Sequence, residues 1–349
     1  MGNDLKRVLK EQSIAASAPC RIDMGGTLDI STFYYPLRHL FPCTVNIALG
    51  LRTRVHLLPY REDMVKISSR GFESAEYRLQ DAPFDHPMGL MFAVAAYFNA
   101  KGVHIDIDSS SPPRSALGGS SAAAVALIHA FSQAFAKIGS NPISKRQTAL
   151  LAHAIETSVA GVPCGLQDQL AAVYGGVNAW YWHAEFGKLP FKRKTILRKR
   201  RANVFQHHLL LAYSGIPHES KNINNKWVRA FLGGNFRSAW IEIIDCTQTF
   251  AKALASQDLA DAIQAMNRET AIRREMTPEV LDATGKRLVE TALEKNCGAR
   301  FTGAGGGGCI WALGSIENID KLKGLWEKVL STREDAQLLE VNIDHDGVL

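Results

Sequence analysis

Residues 111–131 read SPPRSALGGSSAAAVALIHAF. Two prolines and a serine- and glycine-rich loop run directly into an alanine-rich segment. The start of a helix exposes unpaired N–H groups and carries about half a positive charge. Glycines there let an anion such as a phosphate approach the backbone closely. The stretch therefore fits a phosphate-binding loop. It fits an ordinary loop ahead of a buried helix as well, and the rest of the chain has to separate the two.

The chain has 349 residues, longer than the roughly 250–300 at which single cores stop growing, so two domains are expected. Composition is that of a globular protein, 46% hydrophobic and 21% charged. No uncharged apolar run reaches the roughly 18 residues that a membrane helix needs. The first residues, MGNDLKRVLKEQ, are charged and lack the apolar centre of a signal peptide. Lys6 stands where a myristoylation motif at Gly2 wants Ser or Thr. The expectation is a cytoplasmic protein. Six scattered cysteines with no C-x-x-C pair argue against a zinc site or a disulfide framework. A net charge of +6 favours an anionic ligand. The densest basic run, KRKTILRKRR at 192–201, lacks interleaved aromatics and reads as a solvated edge strand or linker, so no nucleic-acid partner is expected.

Strand patterns cover 52–60 and 102–110, and a helix of high propensity covers 118–137. Ser144 and Gln147 have capping-box spacing at the start of a second helix that ends near Gly161. Residues 207–215 read as a buried strand and 222–295 as mostly helix. Residues 297–314 read as strand, glycine turn, strand. The domain boundary is expected near residue 200, giving 1–200 and 201–349.

FTGAGGGGCIWAL at 301–313 contains G-x-G-x-x-G at Gly303, Gly305 and Gly308. A dinucleotide fingerprint needs a helix next, and CIWAL is a strand pattern, so that reading fails. Four glycines in a row exceed what a hairpin needs, which points to close approach of a ligand or another backbone. In AHAIETSVAGVPCGLQDQLAAVYGGVNAW, 152–180, Glu156 lies on a helix face shared with Ala149, Ala152 and His153. Asp168 follows twelve residues later between two glutamines. Phosphoryl transfer needs one carboxylate to hold Mg²⁺ and another to orient or deprotonate the acceptor hydroxyl. The bland reading of Asp168 is a loop cap.

These three clusters, in this order and over most of the chain, resemble the GHMP kinases. ALGGSSAA at 116–123 is similar to the family's phosphate loop, FTGAGGGGC to its C-terminal glycine motif, and SAPCRIDMGG at 17–26 to its first motif. The resemblance implies an α+β fold of two domains. The N-terminal one would hold a left-handed β-α-β unit, and the C-terminal one would be ferredoxin-like. It implies ATP and Mg²⁺ as cofactors, with ATP phosphates held along Leu117, Gly118, Gly119, Ser120, Ser121 and Ala122. Ser121, or Ser120 beside it, and Glu156 would meet the metal. Asp168 would face the acceptor hydroxyl with Arg21 beside it. Asp29, Gly165, Gln167, Gly303, Gly305 and Gly306 would contact the acceptor.

Within the family, GLQDQLAAVYGGVNAW looks most like kinases of heptose 7-phosphate and of L-fucose, which implies a small sugar or sugar phosphate as acceptor and a sugar 1-phosphate as product. Mevalonate-type members usually carry G-x-P-S-G-x-D; here Pro163 is kept and Cys164 takes the serine's place. Three further departures stand out. Ala116 occupies a place where glycine is usual, Asp29 falls one residue late in GGTLDI, and Arg300 replaces a lysine. Oligomeric state is left open.

Overall fold

In the computed structural model, which describes residues 2–183, 185, 187–218 and 220–349, the chain forms two sheets. The first is built on an unusually long strand. β1 (Ile14–Met24) pairs antiparallel along most of β2 (Cys43–Pro59), with a register shift at Pro19/Cys20, immediately before Arg21. The other edge of β2 is shared. β5 (Val103–Ser109) takes its second half and β6 (Val177–Trp182) its first. β3 (Met64–Ser69) pairs parallel with β5, β4 (Ala75–Arg78) borders β3, and β7 (Phe191–Leu197) borders β6. The gap on β2 between β5 and β6 is closed by the chain's last residues: Gly50 N–H donates to the Asn342 carbonyl and Asp344 N–H to that of Ala48.

α1 (Gly2–Glu11), α2 (Ser31–Tyr34) and α3 (Gly89–Tyr97) lie around this sheet. α4 (Gly119–Ala136) packs on β1 and β2 and is almost wholly buried, which its run of alanines permits. α5 (Lys145–Ala160) and α6 (Gln167–Tyr174) pack against α4. The expected capping box is present, with Ser144 accepting from Gln147 N–H and Gly161 in the left-handed region at the far end. The basic run forms the edge strand β7 and then α7 (Lys199–Phe205).

The second sheet contains β8 (Leu209–Tyr213), β9 (Gly298–Phe301), β10 (Cys309–Leu313) and β11 (Gln337–Leu339), all antiparallel. In space they run β11-β8-β10-β9, so that, counted by their order in the chain, the strands lie side by side as fourth, first, third, second. α8 (Ser220–Leu232), α9 (Arg237–Ser256), α10 (Leu259–Met276) and α11 (Ala283–Glu294) connect β8 to β9, and α12 (Ile316–Leu330) connects β10 to β11. That is the ferredoxin-like arrangement with an expanded first crossover.

Candidate active site

The register shift in β1 sets Arg21 under the loop before α4. Its backbone N–H donates to the Leu117 carbonyl, and its Nη1 donates to the Ala116 carbonyl at 2.6 Å. Its Nε and Nη2 reach both oxygens of Asp168 at 2.8 and 2.9 Å, a bidentate pair. Burial alone would weaken the guanidinium's charge, but Asp168 and Asp23 more than reverse this. Asp168 sits in the first turn of α6, and Gly118 comes close to it. A Cβ added at Gly118 would lie 3.2 Å from Asp168 Oδ2.

Gly118, at φ +74, caps α4 with no side chain closing the helix end. The N–H of Ala122 is already bonded to the Gly118 carbonyl, so the open donors belong to the residues before it. A Cβ at Gly119 would meet only Ser111 Oγ, at 3.6 Å, so the space in front of this helix end is open. Gly118, Gly119, Ser120 and Ser121 line a cavity of about 410 Å³ between the two sheets, which Arg21, Thr27, Asp29, Glu156, Cys164, Gly165, Gln167 and Asp168 also line. Apolar side chains of Phe72, Met88, Leu90, Met91 and Ile107 line it too. Leu117 and Ala122 are fully buried behind the loop.

Ser121 and Glu156 are brought together. Ser121 Oγ donates to Glu156 Oε2 at 2.8 Å, and Gln169 Nε2 donates to the same oxygen at 2.6 Å. Burial pushes the Glu156 carboxyl up to about 7; the Ser121 bond opposes the rise and Asp168 adds to it. Gln169 Oε1 is buried there without a partner. His153 turns away to the Cys164 carbonyl, and among the described residues no cluster of three or more His, Cys, Asp or Glu could hold a metal. Two hard oxygen donors next to open space suit a cation that keeps several waters, as Mg²⁺ does.

Asp29 accepts the Gln167 N–H at 3.0 Å, and Gln167 is held in turn by Asn46 Nδ2 at 2.9 Å. Burial raises the Asp29 carboxyl to about 7, with the Gln167 N–H opposing and Asp168 adding. Gly165 is required here, since a Cβ would fall 1.6 Å from Asp29 Oδ2.

The glycine turn divides in two. Gly303 and Ala304 line the cavity, and Gly303 N–H donates to Asp23 Oδ1 at 2.7 Å. Gly305 and Gly306 lie off the cavity lining and face Val280 and Ile223 instead. Added Cβ atoms at Gly307 and Gly308 would come within 2.8 Å of the Pro217 carbonyl and 2.7 Å of the Ser115 carbonyl. Of the two readings of the surplus glycines, these neighbours favour backbone packing: the turn lies against the loop that ends in Gly118, with Cys309 N–H bonded to Ser115 O. Ala116, in the usual glycine's place, adopts φ +61.

His218 and Asn224 complete the wall from the second half of the chain, each with a buried side-chain atom, Nδ1 and Oδ1, that lacks a partner among the described residues. Burial lowers the His218 imidazole to about 4, leaving it neutral. His218 and Asn224 lie in no motif that sequence reasoning flagged, while Asp23 and Thr27 stood inside the quoted stretches SAPCRIDMGG and GGTLDI without being singled out. Gln169 was visible only as one of two amides around Asp168.

Residues 87–176 match the family model for the GHMP kinases N terminal domain, and 250–329 match GHMP kinases C terminal. The chain belongs to the GHMP kinase family. It is accordingly a kinase with an alcohol acceptor. Among curated relatives, it is 27% identical to probable glucuronokinase 2 of Arabidopsis thaliana over 70% of this chain and 69% of that one. It is 28% identical to the mevalonate kinase of Thermococcus sibiricus over 61% of this chain and 60% of that one. It is 24% identical to the D-glycero-alpha-D-manno-heptose 7-phosphate kinase of Campylobacter jejuni, over 69% and 70%. The fold matches Lactococcus lactis galactokinase complexed with galactose, with a TM-score of 0.76, 16% identity, and coverage of 100% of this chain and 98% of that one.

Proposed function

We propose that this GHMP kinase transfers the γ-phosphoryl group of ATP to the anomeric hydroxyl of a sugar or sugar phosphate, forming a sugar 1-phosphate. The observation that carries the reading is the placement of Asp168. Its carboxylate is held by both arms of Arg21 in the same cavity as the open end of α4. In that reading the N–H groups of Gly119, Ser120 and Ser121 hold phosphate oxygens. Ser121 and Glu156 hold Mg²⁺, which when bound would neutralise charge on the phosphates. Asp168 accepts the proton of the attacking hydroxyl, and Arg21 keeps that carboxylate charged and oriented. Asp29, Gly165, Gln167 and Gly303 surround the acceptor, while Gly305 and Gly306 shape the turn from behind. The division near residue 200 and a cytoplasmic setting belong to the same reading.

The mevalonate kinase among the relatives and the retained Pro163 favour mevalonate as the second reading. A coupled ADP-release assay over galactose, fucose, mannose, glucuronate, heptose 7-phosphate, mevalonate and homoserine separates the two. Turnover confined to mevalonate or homoserine would overturn the sugar reading.

A further inference from the structure

Thr27 is β-branched, yet its φ is +76, a region such residues rarely adopt and one that stores strain. Thr27 and Asp29 line the cavity, while Leu28 between them is buried in the core. Glycine would make the same bend without strain, so the threonine side chain has to be accounted for. Its Oγ1 accepts a hydrogen bond from Arg273 Nη1 at 2.9 Å. The hydroxyl's own hydrogen has no acceptor among the described residues.

Arg273 has no freedom to leave. Its Nη2 donates to the Gly26 carbonyl at 2.7 Å and its Nε to Glu269 Oε1 at 2.9 Å. Its guanidinium lies over the rings of Trp227 and Trp240, 4.7 and 4.9 Å from their centroids. Glu269 also accepts from Arg300, which donates to Asp23 Oδ2 at 3.1 Å, and Asp23 holds Gly303 N–H. All four charged side chains are fully buried. Such a cluster is weak evidence for stability, since apolar residues could pack as well. Its geometry has another consequence: one carboxylate anchors two arginines, of which Arg273 bonds Thr27 directly and Arg300 holds Asp23, the acceptor of the Gly303 N–H.

We propose that Thr27 is a specificity-determining residue whose hydroxyl, polarised by Arg273, donates a hydrogen bond to an oxygen of the acceptor substrate, and that Arg273 is the positioning residue that holds it there. A cation donating to the oxygen makes the hydroxyl a stronger donor. On that wall Arg21 is committed to Asp168 and the Ala116 carbonyl, and Thr27 adds a hydroxyl hydrogen beside the Asp29 and Asp168 carboxylates that can meet an acceptor lone pair.

The proposal rests on the kinase reading for its assay but not on the sugar. Thr27→Gly and Thr27→Ser are compared with the parent, using whichever alcohol of the panel above the parent phosphorylates. Thr27→Gly removes the hydroxyl, the strain and the acceptor of Arg273 Nη1 together, and the last two oppose each other, so its melting temperature should stay near the parent's while acceptor KM rises roughly tenfold or more and ATP KM stays within about twofold. Thr27→Ser restores the hydroxyl and should recover most of that loss. If Thr27→Gly keeps the parent's acceptor KM, or if Thr27→Ser is as impaired as Thr27→Gly, the proposal is overturned. A parent that phosphorylates mevalonate and no sugar would end the sugar reading, and the same two variants would then decide the role of Thr27 on mevalonate.

Discussion

Asp168→Asn tests the chemistry and the architecture in one variant. The carboxylate takes two hydrogen bonds from Arg21, at 2.8 and 2.9 Å. An asparagine keeps one acceptor oxygen and turns its amide N–H₂ toward the other arginine donor. One charge-assisted bond is lost, and such bonds contribute about 1.5–3 kcal/mol. The Asp168 side chain is 23% exposed, so water makes up part of the loss. A destabilisation of about 2 kcal/mol and a fall of several degrees in melting temperature follow. The fold should survive, because Arg21 keeps its bond to the Ala116 carbonyl. Turnover should fall much further, by roughly 10²–10⁴, the range for a lost general base, equivalent to about 3–5 kcal/mol. ATP affinity should persist, since the open end of α4 and the Ser121–Glu156 pair are untouched. Calorimetry for ATP·Mg²⁺, thermal melting and kcat per folded molecule are the three measurements. A folded variant with kcat within about tenfold of the parent would refute the role of Asp168 as base. A folded variant that no longer binds ATP would make Asp168 a support for the loop instead.

Gly119→Val projects a side chain into open space in front of the helix end. Stability should be kept, while the ATP dissociation constant rises at least tenfold, about 1.4 kcal/mol; unchanged affinity would remove the phosphate assignment. In the nucleotide-free protein, Glu156 and Asp29 should draw stability down as pH rises from about 5 to 8, opposed at the acid end by His218, which stays neutral when folded. Glu156 and Asp29 titrate near 7 when folded, so they hold protons that the unfolded chain has lost above its own carboxylate pKa. Their contribution is complete below that unfolded value and gone once pH passes the folded one. Relative to the parent, Glu156→Gln should lose less stability over this window in melting curves, and an unchanged pH profile would contradict the assignment. Ala116→Gly relieves a left-handed alanine at φ +61 and should raise stability by up to about 1 kcal/mol in chemical denaturation; a clear loss would mean that its methyl group packs more than it strains. Gly308→Ala sets a Cβ 2.7 Å from the Ser115 carbonyl and 2.8 Å from the Ala116 Cβ at φ +84, and should cost at least about 2 kcal/mol and raise ATP KM; normal stability would mean that the two loops do not pack as described.

Local chemistry was legible in the amino-acid order. The alanine-rich run made α4, the Ser144/Gln147 box started α5, and the highly basic run supplied the edge strand β7. These features depend on propensity, capping and solvation within a few residues, all of which a sequence displays. The ordered motifs also brought Arg21, Ser121, Glu156 and Asp168 to attention, and they meet in one cavity. What tertiary structure alone decided involves partners far apart in the chain. The glycines at 305–308 face other parts of the chain rather than the cavity, because the turn lies against the loop near 115, the chain near 217 and 280, and the Ile223 side chain. The left-handed state of Ala116 follows from that packing. Arg273 reads in sequence as one more charge on a helix. It is buried because Glu269, Trp227, Trp240 and Thr27, up to 246 residues away, enclose it. A buried charge is tolerated only when its partners are assembled around it, and nothing within one segment records which partners the fold will bring.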